Sequence, residues 1–305
     1  MRNLTVVRKK QLKEESRYRY RFSAQCLLVI GISAASVAQT RSTSDGSEAD
    51  VQRDVSKAEI LIRSGQSKLA IPILENCLAE SPQNWHVRVA LAGAYQKMDN
   101  DGRALTILGT SSPPETYRPM WTFSRAFSLY RLRKYDEAKQ LLRALLNNER
   151  MRAPANFFFA NCYSQKGKYA EALPFYEAAI RYGQTPSNRA LNVYYYNYGL
   201  TLFKLAKYVS ARGAFLQSIN QYPNDPLPWY YLGRCEAASG HTQEAINALE
   251  RSIKTNDSFQ PAYYELAKIY RSKGDSVRAK YFYRQVSSKL HAELEETQLF
   301  KTGDR

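Results

Sequence analysis

A chain of 305 residues with 44% apolar content can fill one large core, two domains or a stacked array. Its formal charge of +16 is uneven, because eight basic residues between Arg2 and Arg21 face only Glu14 and Glu15. Cys77, Cys162 and Cys235 are widely spaced, and so are His86, His241 and His291, which leaves no disulfide framework and no zinc-ligand cluster.

The basic start runs into AQCLLVIGISAASVA at 24–38, whose apolar part is too short for a comfortable membrane span. A basic segment, a short apolar segment and the small residues Ser36-Val37-Ala38 follow the order of a secretory leader cleaved after Ala38. Residues 1–38 are therefore expected to be a signal peptide and the protein to be exported, periplasmic or extracellular. A membrane anchor over 24–38, an organelle-targeting segment or a mis-set start codon are the alternatives, the last leaving a cytoplasmic protein. QTRSTSDGSEAD, 39–50, reads as a flexible polar linker.

From residue 51 onward the chain repeats. GKYAEALPFYEAA (167–179), GHTQEAINALERS (240–252) and GDSVRAKYFYRQV (274–286) each carry Gly, then Ala five residues on, then a bulky residue four further. The last two lie 34 residues apart, as do WYYLG (229–233) and YYELA (263–267). A 34-residue ruler gives repeat starts at 51, 85, 119, 153, 192, 226 and 260, with one insertion, SNRAL, at 187–191. Ala58, Gly65, Ala70 and Leu74 mark the first repeat; Leu91, Ala92, Tyr95 and Ala104 mark the second. Ala126, Leu129, Ala138 and Leu142 mark the third, and Phe159, Ala160, Tyr163 and Gly167 the fourth. Tyr195, Tyr198, Gly199, Ala211 and Phe215 carry the fifth, and residues 294–305 are left as a tail or helix extension.

Each repeat predicts two antiparallel helices joined by a tight turn. In the repeat at 226, Pro228 starts the first helix and Gly240 supplies the turn. Gly233 and Ala245 are small where the helices approach, so a large residue there would overpack. One hairpin cannot bury its own apolar face, and stacking on its neighbour can. The repeat at 51 has Asp54 and Lys57 at apolar positions, which predicts a weak first helix. The repeat at 119 has Thr122 and Arg125 at signature positions and Trp121 one residue off, which predicts a shifted one.

This pattern resembles the tetratricopeptide repeat (TPR), with seven tandem units. Trp229, Leu232, Gly233, Gly240, Ala245 and Leu249 match its signature, while Glu236 stands where the family has a large aromatic residue. The resemblance implies an all-α fold, a right-handed α-solenoid of antiparallel helix pairs over 51–293, and buried cysteines with packing roles. His241 falls in a turn and needs no special role.

No HExxH, CxxC, P-loop, GxGxxG or GxSxG motif is present, and the repeats occupy nearly every segment, so no enzyme activity, cofactor or metal is expected. The family resemblance implies that positions 2, 5, 9, 12 and 13 of each repeat line an inner wall. Position 5 reads Phe123, Phe157, Tyr196, Tyr230 and Tyr264, and position 12 adds Tyr130 and Phe203. Arg131, Lys204, Arg234, Lys268 and Arg271 recur beside them, with Asn161 as a polar reader. In the run VYYYNYGL (193–200), Tyr195 and Tyr198 are assigned to the core, Tyr194 to an edge between repeats and Tyr196 to the wall. Aromatic area with basic flanks suits a protein or peptide segment of acidic character. Rings packed between neighbouring helices are the structural alternative. The aromatic residues at position 5 argue against the Lys-and-Asn carboxylate clamp of chaperone-binding relatives.

The expected function is a non-catalytic protein-interaction scaffold. A membrane-tethered or cytoplasmic adaptor, or an accessory subunit of an enzyme complex, is the alternative, with membrane contact only if the N-terminal segment stays uncleaved. A nucleic-acid-binding repeat is disfavoured because Glu171, Glu177, Glu244 and Glu250 are interspersed with the basic residues. An open last face would allow self-association through the terminal repeat.

Overall fold

The computed structural model describes residues 46–185 and 190–288. The predicted leader, the insertion at 187–191 except Ala190 and Leu191, and the tail at 294–305 lie outside them. The described residues are helical, with no strand among them. They divide into two compact bodies, one through Ala190 and one from Leu191.

In the first body, α1 (Gly46–Arg63) pairs with α2 (Ser67–Glu80), and α3 (Trp85–Lys97) with α4 (Asp101–Leu108). Next come α5 (Arg118–Arg131) with α6 (Tyr135–Arg143), and α7 (Arg152–Gln165) with α8 (Tyr169–Gly183). The second body pairs α9 (Leu191–Lys204) with α10 (Tyr208–Gln221) and α11 (Pro226–Ala238) with α12 (Thr242–Thr255). It ends with α13 (Gln260–Ser272) and the helical residues 276–288, α14. Each second helix also packs on the first helix of the next repeat within its body, so the apolar seam passes from pair to pair. This is the α-solenoid architecture.

The turn inside every repeat has one geometry. Gly65, Asp99, Arg133, Gly167, Ala206, Gly240 and Gly274 all have positive φ, between 57° and 84°. The amide after each donates to a carbonyl five residues back, as from Gln66 to Leu61 or His241 to Glu236, while the positive-φ residue bonds three back. These paired bonds satisfy carbonyls that the helix end leaves open, and the left-handed residue makes them reachable. Gly167 and Ala206 are 39 residues apart where the other neighbours are 34 apart, so the insertion is written into the turns themselves. Asp99, Arg133 and Ala206 carry a Cβ in this conformation, at a cost of roughly 1 kcal/mol each.

The first repeat departs from expectation. Its first helix is fully formed, because Val51, Val55, Ala58 and Ile62 make a buried stripe at helical spacing, while Asp54 and Lys57 fall off it. The helix begins at Gly46, inside the stretch read as a linker, more than a turn ahead of the first residue of that stripe. At the third repeat the helix starts within one residue of the ruler. Trp121 is buried and its Nε1 donates to the Leu108 carbonyl at 2.9 Å, closing the end of α4, while Arg125 lies 5.0 Å over its ring.

Close helix approach explains the small residues. A Cβ on Gly233 would meet Leu249 Cγ at 2.7 Å and the Ala245 carbonyl at 3.0 Å; one on Gly199 would meet the Phe215 ring at 3.0 Å. Cys77, Cys162 and Cys235 are buried free thiols, and burial pushes both Cys162 and Cys235 up to about 12. Glu236, the departure from the family pattern, is buried with its carboxylate held by Arg212 Nε at 2.6 Å and His241 Nδ1 at 2.9 Å. Burial pushes that carboxyl up, but the two bonds outweigh it and hold the group below the usual range. His241 thus has a partner as well as a place in the turn.

Candidate functional site on the first-helix wall

The predicted aromatic ladder is mostly internal. Phe123, Phe157, Tyr196 and Tyr230 are 1 to 3% exposed, and Tyr130 is buried as well. Phe157 packs on Phe158 and Tyr176, and Tyr230 on Tyr231 and Phe259, but for Phe123 and Tyr196 the reason is a residue one place further along the next repeat. Phe158, at position 6 of its repeat, receives Phe123 at 5.6 Å, Phe127 at 5.2 Å and Tyr130 at 5.4 Å, all in edge contacts. Tyr231 holds the same position two repeats on and receives Tyr196 at 6.1 Å and Phe203 at 5.4 Å. In the repeats starting at 119 and 192 the position-5 and position-12 rings therefore converge on a hub ring from the following first helix, worth about 1 kcal/mol per pair beyond burial. Tyr194 is buried too, while Tyr195 and Tyr198, assigned to the core, are half-buried. The hub rings escaped the sequence reading because position 6 has no fixed residue type.

The polar candidates of the first body are engaged internally. Asn161 is buried and accepts from the Tyr176 hydroxyl at 2.6 Å. Arg131 donates to the Gln96 carbonyl at 2.8 Å, pairs with Asp99, and places Nε 2.9 Å from Asp101 Oδ2. Burial pushes Asp101 up to about 6 against the pull of Arg131. Gln96 adds donor bonds to the Ser124 carbonyl and Ser128 Oγ, each at 2.8 Å. Arg131 is thus a clamp on the preceding turn rather than a cation offered to a partner.

The second body differs. Its first helices α9, α11 and α13 pack in sequence and bring the remaining candidates together. The Arg234 guanidinium lies 4.7 Å over the Phe203 ring and 5.5 Å from both Tyr230 and Tyr231. Glu265, which the sequence reading passed over, stands 4.0 Å from Arg234 Nε and accepts from Lys268 Nζ at 2.7 Å. Lys268 lies 5.7 Å over Tyr264, itself half-exposed. Lys204 ends α9 beside Phe203, and Arg271 sits one turn beyond Lys268; both are exposed. Arg234 and Lys268 are thus seated on rings with the Glu265 carboxylate between them, and Lys204 and Arg271 stand exposed on the same helices. Among the described residues no group of His, Cys, Asp and Glu side chains could hold a metal ion, and no helix is long and apolar enough to cross a membrane.

Helix pairs of 34 residues with a left-handed turn in each define a helical-repeat solenoid. The chain belongs to the tetratricopeptide-repeat family, whose models match residues 61–116, 123–189, 194–225, 214–247 and 260–288. Among similar solved structures is the C-terminal part of a TPR repeat-containing protein from Cytophaga hutchinsonii, at TM-score 0.56 and 18% identity, covering 77% of this chain and 94% of that one. MamA 41-end from Desulfovibrio magneticus RS-1 gives TM-score 0.52 and 15% identity, over 57% of this chain and 96% of that one. A chain of the APC/C hetero-tetramer Cut9-Hcn1 gives TM-score 0.51 and 17% identity; 85% of this chain aligns with 51% of that one. At these identities the likeness is one of fold. No curated protein matches the sequence. Membership of this family supports a protein-interaction scaffold, and TPR proteins are generally non-catalytic.

Proposed function

We propose that the protein is a non-catalytic scaffold that binds an acidic peptide or protein segment on the first-helix wall of its second body. The observation that carries this reading is the seating of Arg234 over Phe203 and Lys268 over Tyr264, with Lys204 and Arg271 exposed on the same first helices. Cations held on ring faces keep their charge and lose little freedom on pairing with carboxylates. Export beyond the cytoplasmic membrane is part of the proposal and rests on the order of basic, apolar and small residues in 1–38; terminal sequencing of the protein from cell fractions tests it. Self-association is a second reading, favoured by Val277 and Tyr281, which are 78% and 54% exposed on one face of α14; light scattering of the full chain tests it.

The binding test is fluorescence anisotropy of a labelled hexaglutamate peptide at low ionic strength. The wild type should bind, and the double variant Lys204→Ala/Arg271→Ala should lose most of that binding with its helix content intact. Equal binding by both would reject the wall. Stronger displacement by single-stranded DNA than by unlabelled peptide would redirect the reading to nucleic acid. Alanine at Tyr196 or Tyr230 would test the core instead, because both rings are buried.

A further inference from the structure

Where the second and third repeats meet, the chain supplies both signs of charge. Arg131, at position 13 of its repeat, pairs with Asp99 and places Nε 2.9 Å from Asp101 Oδ2, at positions 15 and 17 of the repeat before. One repeat earlier the same three places hold Lys97, Gly65 and Ser67. The frame is shared. Gly65 and Asp99 both have the left-handed turn conformation, and the next amides, of Gln66 and Asn100, donate to the Leu61 and Tyr95 carbonyls. α3, which ends at Lys97, packs on α2, which begins at Ser67. Lys97 thus keeps the cation, while Gly65 and Ser67 stand in place of both carboxylates.

This joint leaves polar groups unsatisfied. Lys97 is half-buried, burial pushes its amine below the usual range, and among the described residues no hydrogen bond or ion pair engages it. Ser67 is 2% exposed, and its Oγ has no hydrogen-bond partner. The start of α2 has no side-chain cap and no acidic residue, whereas Asn100 caps α4 and Asp101 lies in its first turn. A desolvated ammonium, an unpartnered hydroxyl and the amide end of a helix all favour negative charge.

We infer that Lys97, Ser67 and the start of α2 form a binding site for a carboxylate supplied by another molecule, in the place that Asp101 fills at the next joint. The class of ligand follows from that comparison, because in this frame a carboxylate oxygen reaches the position-13 cation at hydrogen-bond distance. Gly65 and Gln66 are exposed beside the site and leave it open from the turn. It shares no residue with the wall proposed on the second body.

The test compares the thermal midpoint of the full chain in sodium acetate and in sodium chloride at equal ionic strength and neutral pH. Acetate at about 0.2 M should raise the wild-type midpoint by about 2 °C over chloride, the size expected for a ligand at a few times its Kd. Lys97→Met keeps the apolar stem, removes the charge and should lose that difference. Ser67→Asp returns a carboxylate to the chain. It should raise the midpoint in chloride and abolish the response to acetate, and Lys97→Met/Ser67→Asp should lose the gain. No acetate shift in the wild type, or one that Lys97→Met retains in full, overturns the site. A Ser67→Asp chain that melts below the wild type or still responds to acetate does the same. A response to sodium phosphate with none to acetate would overturn the assignment to carboxylates.

Discussion

At the joint between the repeats starting at 192 and 226, Tyr231 is 0% exposed, stacked on Phe215 at 5.5 Å and met by Tyr196 and Phe203. One repeat later the same position carries Glu265, which faces Arg234 and Lys268 and is reached by solvent. The backbone frame is shared: paired helices, left-handed turns at Gly240 and Gly274, and small residues at the close approach. A solenoid can therefore change the character of a joint at a single position without altering the frame. Burial of rings secures one joint, and the other gives up some of that security for a charged surface.

The largest expected effect comes from the secure joint. Tyr231→Ala should cost about 3–5 kcal/mol, read as loss of hydrogen-exchange protection across α9 to α12, because it empties a site that several rings share. A loss no greater than that of Glu265→Ala would break the comparison. Gly233→Ala should cost about 2 kcal/mol in urea unfolding, since the added methyl meets Leu249 and the Ala245 backbone; a neutral result would mean that α11 and α12 part easily.

Asp225 sharpens the comparison through pH. It caps α11, the helix carrying Tyr231, with Oδ1 accepting from the Leu227 amide at 3.0 Å, while Oδ2 is buried with no hydrogen-bond partner. Burial pushes its carboxyl up to about 7 despite that bond. The folded state then holds the proton more tightly than the unfolded chain does, so this residue's contribution to stability falls as pH rises from about 4 to about 7. Asp225→Asn keeps an acceptor for the cap and removes the charge. It should match the wild type near pH 4 and exceed it by on the order of 1–2 kcal/mol at pH 8, measured by urea unfolding at both values. A constant difference across that window would refute the assignment. The smallest effect belongs to the open joint: Glu265→Ala should change stability by less than about 1 kcal/mol in the same assay.

The period was legible because packing demands it. Glycine marks four of the seven turns, and small residues such as Gly233 and Ala245 mark the close helix approach, where the structure places them. The wall was legible only in outline. Tyr196 and Tyr230 repeat at the expected spacing, but Tyr196 is covered by Tyr231 and Tyr230 by Tyr231 and Phe259, and the hub position reads Phe158, Asn197, Tyr231 and Glu265 in succession. A residue that changes type at each recurrence leaves no periodic trace. Arg131 and Arg234 are both basic residues beside wall aromatics in the sequence, yet the structure commits Arg131 to Asp99 and Asp101 and stacks Arg234 on Phe203.

The buried thiols bear on where such a protein can work. Burial pushes Cys162 and Cys235 up to about 12, which leaves little reactive thiolate at neutral pH, and both side chains are buried. Disulfide exchange needs a thiolate and a line of attack, and the folded chain offers neither at these positions. Once folded, the protein is indifferent to redox poise there, so a reducing or an oxidising compartment would leave Cys162 and Cys235 in the same state.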